Sequence, residues 1–300
     1  MRIGVTGVTG FLGRYIVEYL TQQGHTCRAW YRATSNRGGL AVPPERLEWV
    51  PGELGDRESS RRLMPGCDAV VHGALHHEAE RFRAGPGDLL EFVRRNVLGT
   101  LELIQAARAV GVRRFVFVST CAVHERILDD RPLDETHPLW PMTHYGAHKA
   151  ALEAFVHSYG FGEGYEICAV RPTGIYGLAH PASASKWYDL VQTVAAGRDV
   201  TCTGGGKEVH ALDVAKAIGL LLEAPGIAGE AYNCCDRYIS EHEVAQVAKR
   251  LTGSSSVISG EPRRPKHDIE TGKLRALGMQ FGGLPFLEST IKQMLAATLR

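Results

Sequence analysis

The sequence predicts an α/β fold: a doubly wound parallel sheet with helices on both faces and a smaller C-terminal lobe. Three observations carry this. Short apolar runs alternate with stretches of helical periodicity through the first half of the chain. A glycine-spaced turn joins the first such run to the first such stretch. Small and polar residues with chemical potential recur directly after the apolar runs, where ligands sit in open parallel sheets.

The elements follow in order. Met1-Arg2-Ile3-Gly4-Val5-Thr6 is short and mostly apolar, as a strand covered on both faces should be. Residues 11–20 carry apolar side chains at helical spacing, and the helix ends near Gly24. His25 to Tyr31 is the second strand, Leu47 to Val50 the third and Asp68 to His72 the fourth. Asp88 to Gly111 reads as one long amphipathic helix, with Leu90, Val93, Val97, Leu101 and Ile104 on its apolar stripe. Arg114 to Val118 is the fifth strand, Tyr145 to Ser158 a helix and Tyr165 to Val170 the sixth strand. From about residue 177 the pattern loosens. Gly204-Gly205-Gly206 reads as a flexible turn and Pro262 to Pro265 as a basic loop. The expected division is 1–176 for the sheet domain, with a segment returning near 208–224, and 177–300 mainly for the second lobe.

Composition bounds the function. Of 300 residues, 44% are hydrophobic and 22% charged, enough for a sizeable core. A net charge of +1, with no basic run interleaved with aromatics, argues against a nucleic-acid partner. No apolar stretch reaches membrane-spanning length, so no membrane partner is expected. The N-terminus opens on a strand rather than a leader, and the seven cysteines form no C-x-x-C pair. Both point to reduced thiols and a cytoplasmic location. Thirteen histidines show no ligand spacing such as H-E-x-x-H, so no metal is expected.

Two features speak to chemistry. Gly7, Gly10 and Gly13 follow the first strand and open the first helix. Strand, glycine turn and helix suit a dinucleotide: the glycines permit a tight turn and close approach to a pyrophosphate, and the helix end offers N–H groups and a positive dipole. The spacing is G-x-x-G-x-x-G, so the likeness to the G-x-G-x-x-G turn is one of analogy. The second strand ends in Tyr31-Arg32, without an acid for a ribose 2′-hydroxyl. Arg32, with Arg37 nearby in sequence, suits a 2′-phosphate, so the expected cofactor, NAD(P), leans toward NADP.

The second feature is Tyr145 and Lys149, four residues apart and so one turn apart on one helix face. A nearby ammonium favours the phenolate and lowers a tyrosine pKa from about 10. Such a tyrosine gives or takes a proton at a hydroxyl or carbonyl. A dinucleotide with a tyrosine acid/base reads as hydride transfer.

Several further motifs occur in order: Asp68-x-Val70-x-His72-x-Ala74, Asn96-Val97-x-Gly99-Thr100, Ser119-Thr120, Arg171-Pro172-x-x-Ile175-Tyr176-Gly177, His210-x-x-Asp213-Val214-Ala215 and Arg264-Pro265-x-x-Asp268. With the glycine turn and Tyr145-x-x-x-Lys149, they resemble the extended short-chain dehydrogenase/reductases, the NAD(P)-dependent epimerase/dehydratase group, over almost the whole chain. The resemblance implies a Rossmann-type sheet domain, a substrate-binding C-terminal lobe and an enzyme acting on a small-molecule substrate. It implies Tyr145 as acid/base, Lys149 on the nicotinamide ribose and Thr120 polarising the substrate oxygen. Glu53 and Leu54 would border the adenine, Asn96 would brace the active-site helix, and Pro172 and Ile175 would line the nicotinamide. The full cofactor set it implies is Gly7, Gly10, Phe11, Leu12, Gly13, Arg32, Glu53, Leu54, Gly73, Ala74, Leu75, Asn96, Ser119, Tyr145, Lys149, Pro172 and Ile175. A homodimer is implied through helices near 88–110 and 145–158.

The chain departs from that family in two places. Cys121-Ala122 stands where dehydratases follow the threonine with Asp-Glu, which argues against 4,6-dehydration. Gly174 and Gly206 stand where many nucleotide-sugar enzymes carry Asn and Arg against the substrate's phosphates. Net oxidation or reduction at a secondary alcohol or carbonyl of a sugar-like or small hydroxyl compound is therefore the first reading. Nucleotide-sugar epimerisation with transiently reduced NAD is the second, and a dinucleotide-sensing regulator on the same fold the third. Pocket residues are expected around 75–85, 121–124, 140–144 and 177–210.

Overall fold

In chain order the strands are β1 (Arg2–Thr6), β2 (Thr26–Tyr31), β3 (Leu47–Pro51), β4 (Ala69–His72), β5 (Arg114–Val118), β6 (Glu166–Pro172), β7 (Gly174–Tyr176), β8 (Val200–Thr201), β9 (Gly205–His210), β10 (Ala231–Cys234), β11 (Arg237–Ser240) and β12 (Ile258–Ser259). The helices are α1 (Phe11–Gln22), α2 (Arg57–Leu63), α3 (Leu89–Val93), α4 (Gly99–Ala109), α5 (His144–His157), α6 (Tyr188–Ala195), α7 (Ala211–Glu223), α8 (Glu241–Thr252), α9 (Gly272–Ala276) and α10 (Gly283–Ala297). The computed structural model describes residues 1–77, 87–262 and 264–297. Residues 78–86, part of the expected pocket, and Arg263 of the expected basic loop lie outside the described residues.

Two compact units divide the chain: Met1–Pro172 with Val214–Cys234 and Ile269–Met279, and Thr173–Asp213 with Cys235–Asp268 and Gln280–Arg300. The break follows Pro172 rather than residue 176, because Gly174–Tyr176 leaves as β7 to pair with β9 in the second unit. The returning segment runs past 224 because β10 pairs with β6 at the edge of the main sheet. The return at Ile269–Met279, which the sequence did not announce, begins at a bridge between Leu133 and Ile269.

The first unit holds the expected doubly wound sheet: seven strands in the order β10-β6-β5-β4-β1-β2-β3. Every pairing in it is parallel. β1, β4 and β5 are apolar because both faces are covered: Ile3, Val5, Val70, Val71, Phe115 and Val116 are fully buried. The strand order reverses at β1, with β2 on one side and β4 on the other, which opens a crevice at the carboxyl ends. One face of the core gathers Leu63, Leu103, Ile104, Phe115, Leu152 and Ile167. Truncating a fully buried leucine such as Leu103 to alanine would cost about 2–5 kcal/mol.

The helix expected over 88–111 is not continuous. An α turn, α3, gives way to a π turn over Arg94–Leu98 and then to α4. The extra residue shifts the helical phase. Leu90 is 80% exposed, and the inward face carries Phe92, Asn96, Leu103, Ile104 and Ala107 instead. The stripe read from Leu90 through Ile104 is thus corrected at its N-terminal end.

The second unit contains the sheet β11-β9-β7 and the pair β12-β8. Gly205 and Gly206, expected in a flexible turn, lie in β9 and pair with Ser240 and Ile239. Its core packs Val191, Val194, Val244, Ala248, Leu287 and Ile291 from α6, α8 and α10. The α8 helix starts where Ser240 accepts from the Glu243 N–H, and it stops at Gly253, which is left-handed at φ 67°. Among the described residues no helix is long and apolar enough to cross a membrane.

Candidate active site

The glycine turn builds the first part of the site from backbone. Gly7 has φ +79°, and a Cβ there would lie 2.7 Å from the Gly73 carbonyl carbon. Gly13 packs so close to the Gly7 carbonyl that a side chain would collide with it. Gly10 caps α1 without a side chain, and no acid stands in the first turn. The N–H groups of Phe11, Leu12 and Gly13 are left to an anion at a positive helix end. A cavity of about 300 Å3 opens here, lined by Gly7, Gly10, Arg32, Glu53, Leu54, Gly73, Ala74 and Leu75 among the expected residues. Absent side chains and an uncapped helix end fit a dinucleotide pyrophosphate.

The end of β2 makes one wall. Arg32 lines the cavity, and its N–H donates to Ser35 Oγ at 3.0 Å. The Arg37 guanidinium stacks 4.5 Å above the Tyr31 ring. Arg14 on α1 donates to the carbonyls of Asn36 (2.9 Å) and Gly38 (2.5 Å) and so ties this loop to the first helix.

A buried chain of hydrogen bonds fixes the loop after β4. The Thr100 hydroxyl donates to the Asn96 carbonyl (2.6 Å), so it accepts from His72 Nε2 (2.8 Å). His72 Nδ1 then accepts from the Thr6 hydroxyl (2.7 Å), whose oxygen accepts the Ala74 N–H (3.1 Å). Burial, and then the charge of Lys149, push His72 down to about 3, so it is neutral. The π turn presents Asn96: its Oδ1 accepts from His76 N (2.8 Å), and its Nδ2 donates to the carbonyls of His76 (2.9 Å) and Phe92 (3.0 Å). These bonds fix the loop that lines the cavity.

The second part lies at the end of β5. Thr143 starts α5 by accepting from the Gly146 N–H (3.1 Å), and its hydroxyl donates to Glu125 (3.1 Å). A Cβ on Gly146 would sit 2.6 Å from the Ala122 carbonyl, so the first turn of α5 presses on the segment just after Thr120. Tyr145 is half-buried in that turn. One turn on, Lys149 is 5% exposed, donates from Nζ to the Val118 carbonyl (2.7 Å) and lies 4.6 Å from the Phe117 ring centre. Burial draws the Lys149 ammonium down to about 7, and Glu153 opposes it. The Thr120 oxygen accepts from the Ala122 N–H (3.1 Å), which uses a lone pair and leaves its hydrogen to donate. Ser119 donates its hydroxyl to Glu153, and the Cys121 thiol donates to the Arg171 carbonyl (3.0 Å).

The structure thus brings Lys149, Ser119 and Thr120 to one strand end, against the turn that carries Tyr145. Pro172 closes β6 and is buried, and Ile175 is half-buried in β7 of the second unit; neither lines the cavity. Sequence reasoning missed several lining residues: Thr9, Trp30, Ser35, Gly52 and Arg95, while His76 falls in the stretch expected to line the pocket. Gly52 was within reach of the rule that ligands sit beyond strand ends, since it follows β3 directly. Arg95 was not, because it reaches the cavity from the π turn, where it also pairs with Glu53 at 3.2 Å.

Comparisons with known proteins agree with this geometry. A model of the NAD dependent epimerase/dehydratase family matches residues 3–235. The 4-hydroxy-2-methyl-3-oxo-4-farnesyl-3,4-dihydroquinoline-1-oxide ketoreductase of Stigmatella aurantiaca is 36% identical over 247 residues, covering 79% of this chain and 68% of that protein. The UDP-glucose 4-epimerase of Thermus thermophilus, solved with NAD, superposes with a TM-score of 0.78 at 25% identity, over 99% of this chain and 100% of that one. The dTDP-glucose 4,6-dehydratase of Streptomyces venezuelae, solved with NAD and TYD bound, superposes with a TM-score of 0.78 at 27% identity, over 99% of this chain and 97% of that one.

Proposed function

The chain belongs to the NAD dependent epimerase/dehydratase family and is an NAD(P)-dependent enzyme, and from that premise we propose that it catalyses net hydride transfer at a secondary alcohol or carbonyl. The observation that carries this reading is the strand end where Lys149, bound to the Val118 carbonyl, sits one helical turn from Tyr145 and beside Thr120. The glycine turn and the cavity wall would hold a nicotinamide dinucleotide, which would supply or accept the hydride. In reduction, Tyr145 gives its proton to the carbonyl oxygen, and Thr120 donates a hydrogen bond to the same oxygen as charge develops on it. Lys149 would hold the nicotinamide ribose, and its charge favours the phenolate left behind.

Three finer points belong to the same reading. Arg32, with Arg37 stacked beside it on Tyr31, favours NADP by offering guanidinium groups to a 2′-phosphate. Leu90, Leu98 and Phe155 are 80%, 53% and 40% exposed on α3, the π turn and α5, which supports a homodimer through these helices. Light scattering that gave a monomer at micromolar concentration would remove it. A cytoplasmic location is supported by the seven cysteines, which form no C-x-x-C pair.

Epimerisation of a nucleotide sugar is the second reading, favoured by the likeness to UDP-glucose 4-epimerase and by Arg264. Against it stands Glu208. Its carboxylate is buried so close to Gly174 and Gly206 that a Cβ would lie 2.5 and 2.6 Å from its oxygens. The family resemblance puts substrate phosphates at those two positions, and the Glu208 carboxylate, paired with Lys186, occupies the space beside both glycines. The test is a fluorescence titration with NADPH and NADH, followed by absorbance at the reduced-nicotinamide band during turnover. Freely exchanging NADPH and a steady absorbance change are expected. Tightly retained NAD with no net change would establish the epimerase instead.

A further inference from the structure

Glu153 and Arg171 form an ion pair that the chemistry above does not use. Their side chains are 0% and 1% exposed. Arg171 grips both carboxylate oxygens, from Nε at 3.1 and 2.9 Å and from Nη2 at 2.6 Å. Its Nη1 donates to His124 Nε2 and to the Glu135 carbonyl, both at 3.2 Å. Burying two such charges costs desolvation that the pair hardly recovers, so stability alone does not explain it.

Position explains it better. Tyr145, Lys149 and Glu153 recur every four residues along one face of α5. Lys149 binds the Val118 carbonyl, Glu153 accepts from the Ser119 hydroxyl, and the Arg171 carbonyl accepts from the Cys121 thiol. Thr120 is therefore held between residues each tied to α5 or β6. Among the described residues, the charged and titratable groups that bear on Lys149 include His72 from β4 and Tyr145, His148 and Glu153 from α5, with Arg171 of β6 paired to Glu153. His72 and His148 are neutral, and Arg171 is a second cation. Glu153 is the standing anion of the group.

We propose that Glu153 is a positioning residue for the Tyr145–Lys149 pair: held by Arg171, it is the buried counter-ion that keeps Lys149 an ammonium, and through Ser119 it fixes the strand end that presents Thr120. The inference deepens the proposed function and rests on it for its catalytic meaning. Its physical content, control of Lys149 ionisation, is separable. Burial already draws Lys149 down, and removing the carboxylate leaves that pull unopposed.

The test is NMR titration of protein carrying 13Cε-labelled lysine, with the Lys149 resonance identified by its loss in Lys149→Met. In Glu153→Gln, which keeps the shape and removes the charge, the Lys149 midpoint is expected to fall by about one pH unit, a tenfold loss in the ammonium-to-amine ratio. Glu153→Asp, which keeps the charge, should retain the wild-type midpoint. Should Glu153→Gln leave Arg171 too costly for folding, the double variant Glu153→Gln/Arg171→Gln buries no unpaired guanidinium, and a smaller fall in the same direction is expected there, because the opposing charge of Arg171 leaves with the carboxylate. A Lys149 midpoint unmoved in whichever charge-removing variant folds overturns the proposal. Loss of turnover in Tyr145→Phe is read separately, so a wrong proposed function and a wrong role for Glu153 give different results.

Discussion

The two flanks of the seven-stranded sheet build their parts of the site in opposite ways. Beside β1, β2 and β3 the cavity is made largely of backbone: a left-handed Gly7, an uncapped helix end, and a loop after β4 held by Asn96 and Thr6. Beside β5 and β6 the site is made of a few buried ionisable side chains: Lys149, Glu153, Arg171, His124 and His148. A backbone cradle tolerates many side-chain changes and fails when a Cβ enters it. A charge cluster fails when one charge is lost or gained, since each is desolvated and depends on the others.

The sharpest break of this contrast is Tyr145→Phe. Turnover should fall by about 10²–10⁴-fold, with NADPH affinity by fluorescence titration within about twofold of wild type. Near-normal turnover would remove Tyr145 from the chemistry.

Acid comes next and should strike three buried histidines, His124 and His148 on the charged flank and His72 beneath the loop after β4. Burial comes first among the causes that lower His72 and His148 to about 3 and His124 to about 4, from an ordinary 6.5. Above pH 6.5 neither the folded nor the unfolded state protonates them, so their contribution is intact. As pH falls through 6.5, the unfolded chain binds protons that the folded chain refuses, and stability is lost progressively toward pH 4 and below. The His124 depression alone corresponds to about 3 kcal/mol. Urea midpoints at pH 7.5 and 4.5 would show it, and equal midpoints would mean that the three rings are hydrated.

Gly7→Ala tests the backbone flank. The new Cβ meets the Gly73 backbone at a positive φ, so NADPH binding should weaken at least about tenfold, and the melting temperature should drop. Arg32→Ala is the mildest. NADPH should bind about tenfold more weakly and NADH almost unchanged, as expected for one charge-assisted contact at an exposed rim. Equal losses for both cofactors would assign Arg32 to the loop rather than to a 2′-phosphate.

The backbone flank was largely readable from the sequence. Glycine spacing after a short apolar strand and the Tyr31-Arg32 strand end mark residues that do line the cavity, because strand-end positions follow from parallel topology. The charged flank was readable only in part. Tyr145 and Lys149 announce themselves by spacing, but Glu153 meets Arg171 and Ser119 across elements distant in sequence, and no local pattern records that meeting. The helix over 88–111 misled for a different reason. Its apolar spacing fits an uninterrupted 3.6-residue period, and the π turn at Arg94–Leu98 changes which residues face inward. The second unit, with its short strands and loose pattern, left little periodicity to read.

That π turn has a consequence for how the segment can change. One surplus residue sets the phase between α3 and α4, so drawing 94–98 into a regular α turn at unchanged length would turn everything upstream by about a quarter-revolution. Leu90 would swing toward the core and Phe92 away from it, and Asn96 would release the loop at His76. Deleting one outward residue from the turn would instead absorb the surplus and leave both faces in phase. The segment thus depends on keeping its bulge for as long as it keeps its length.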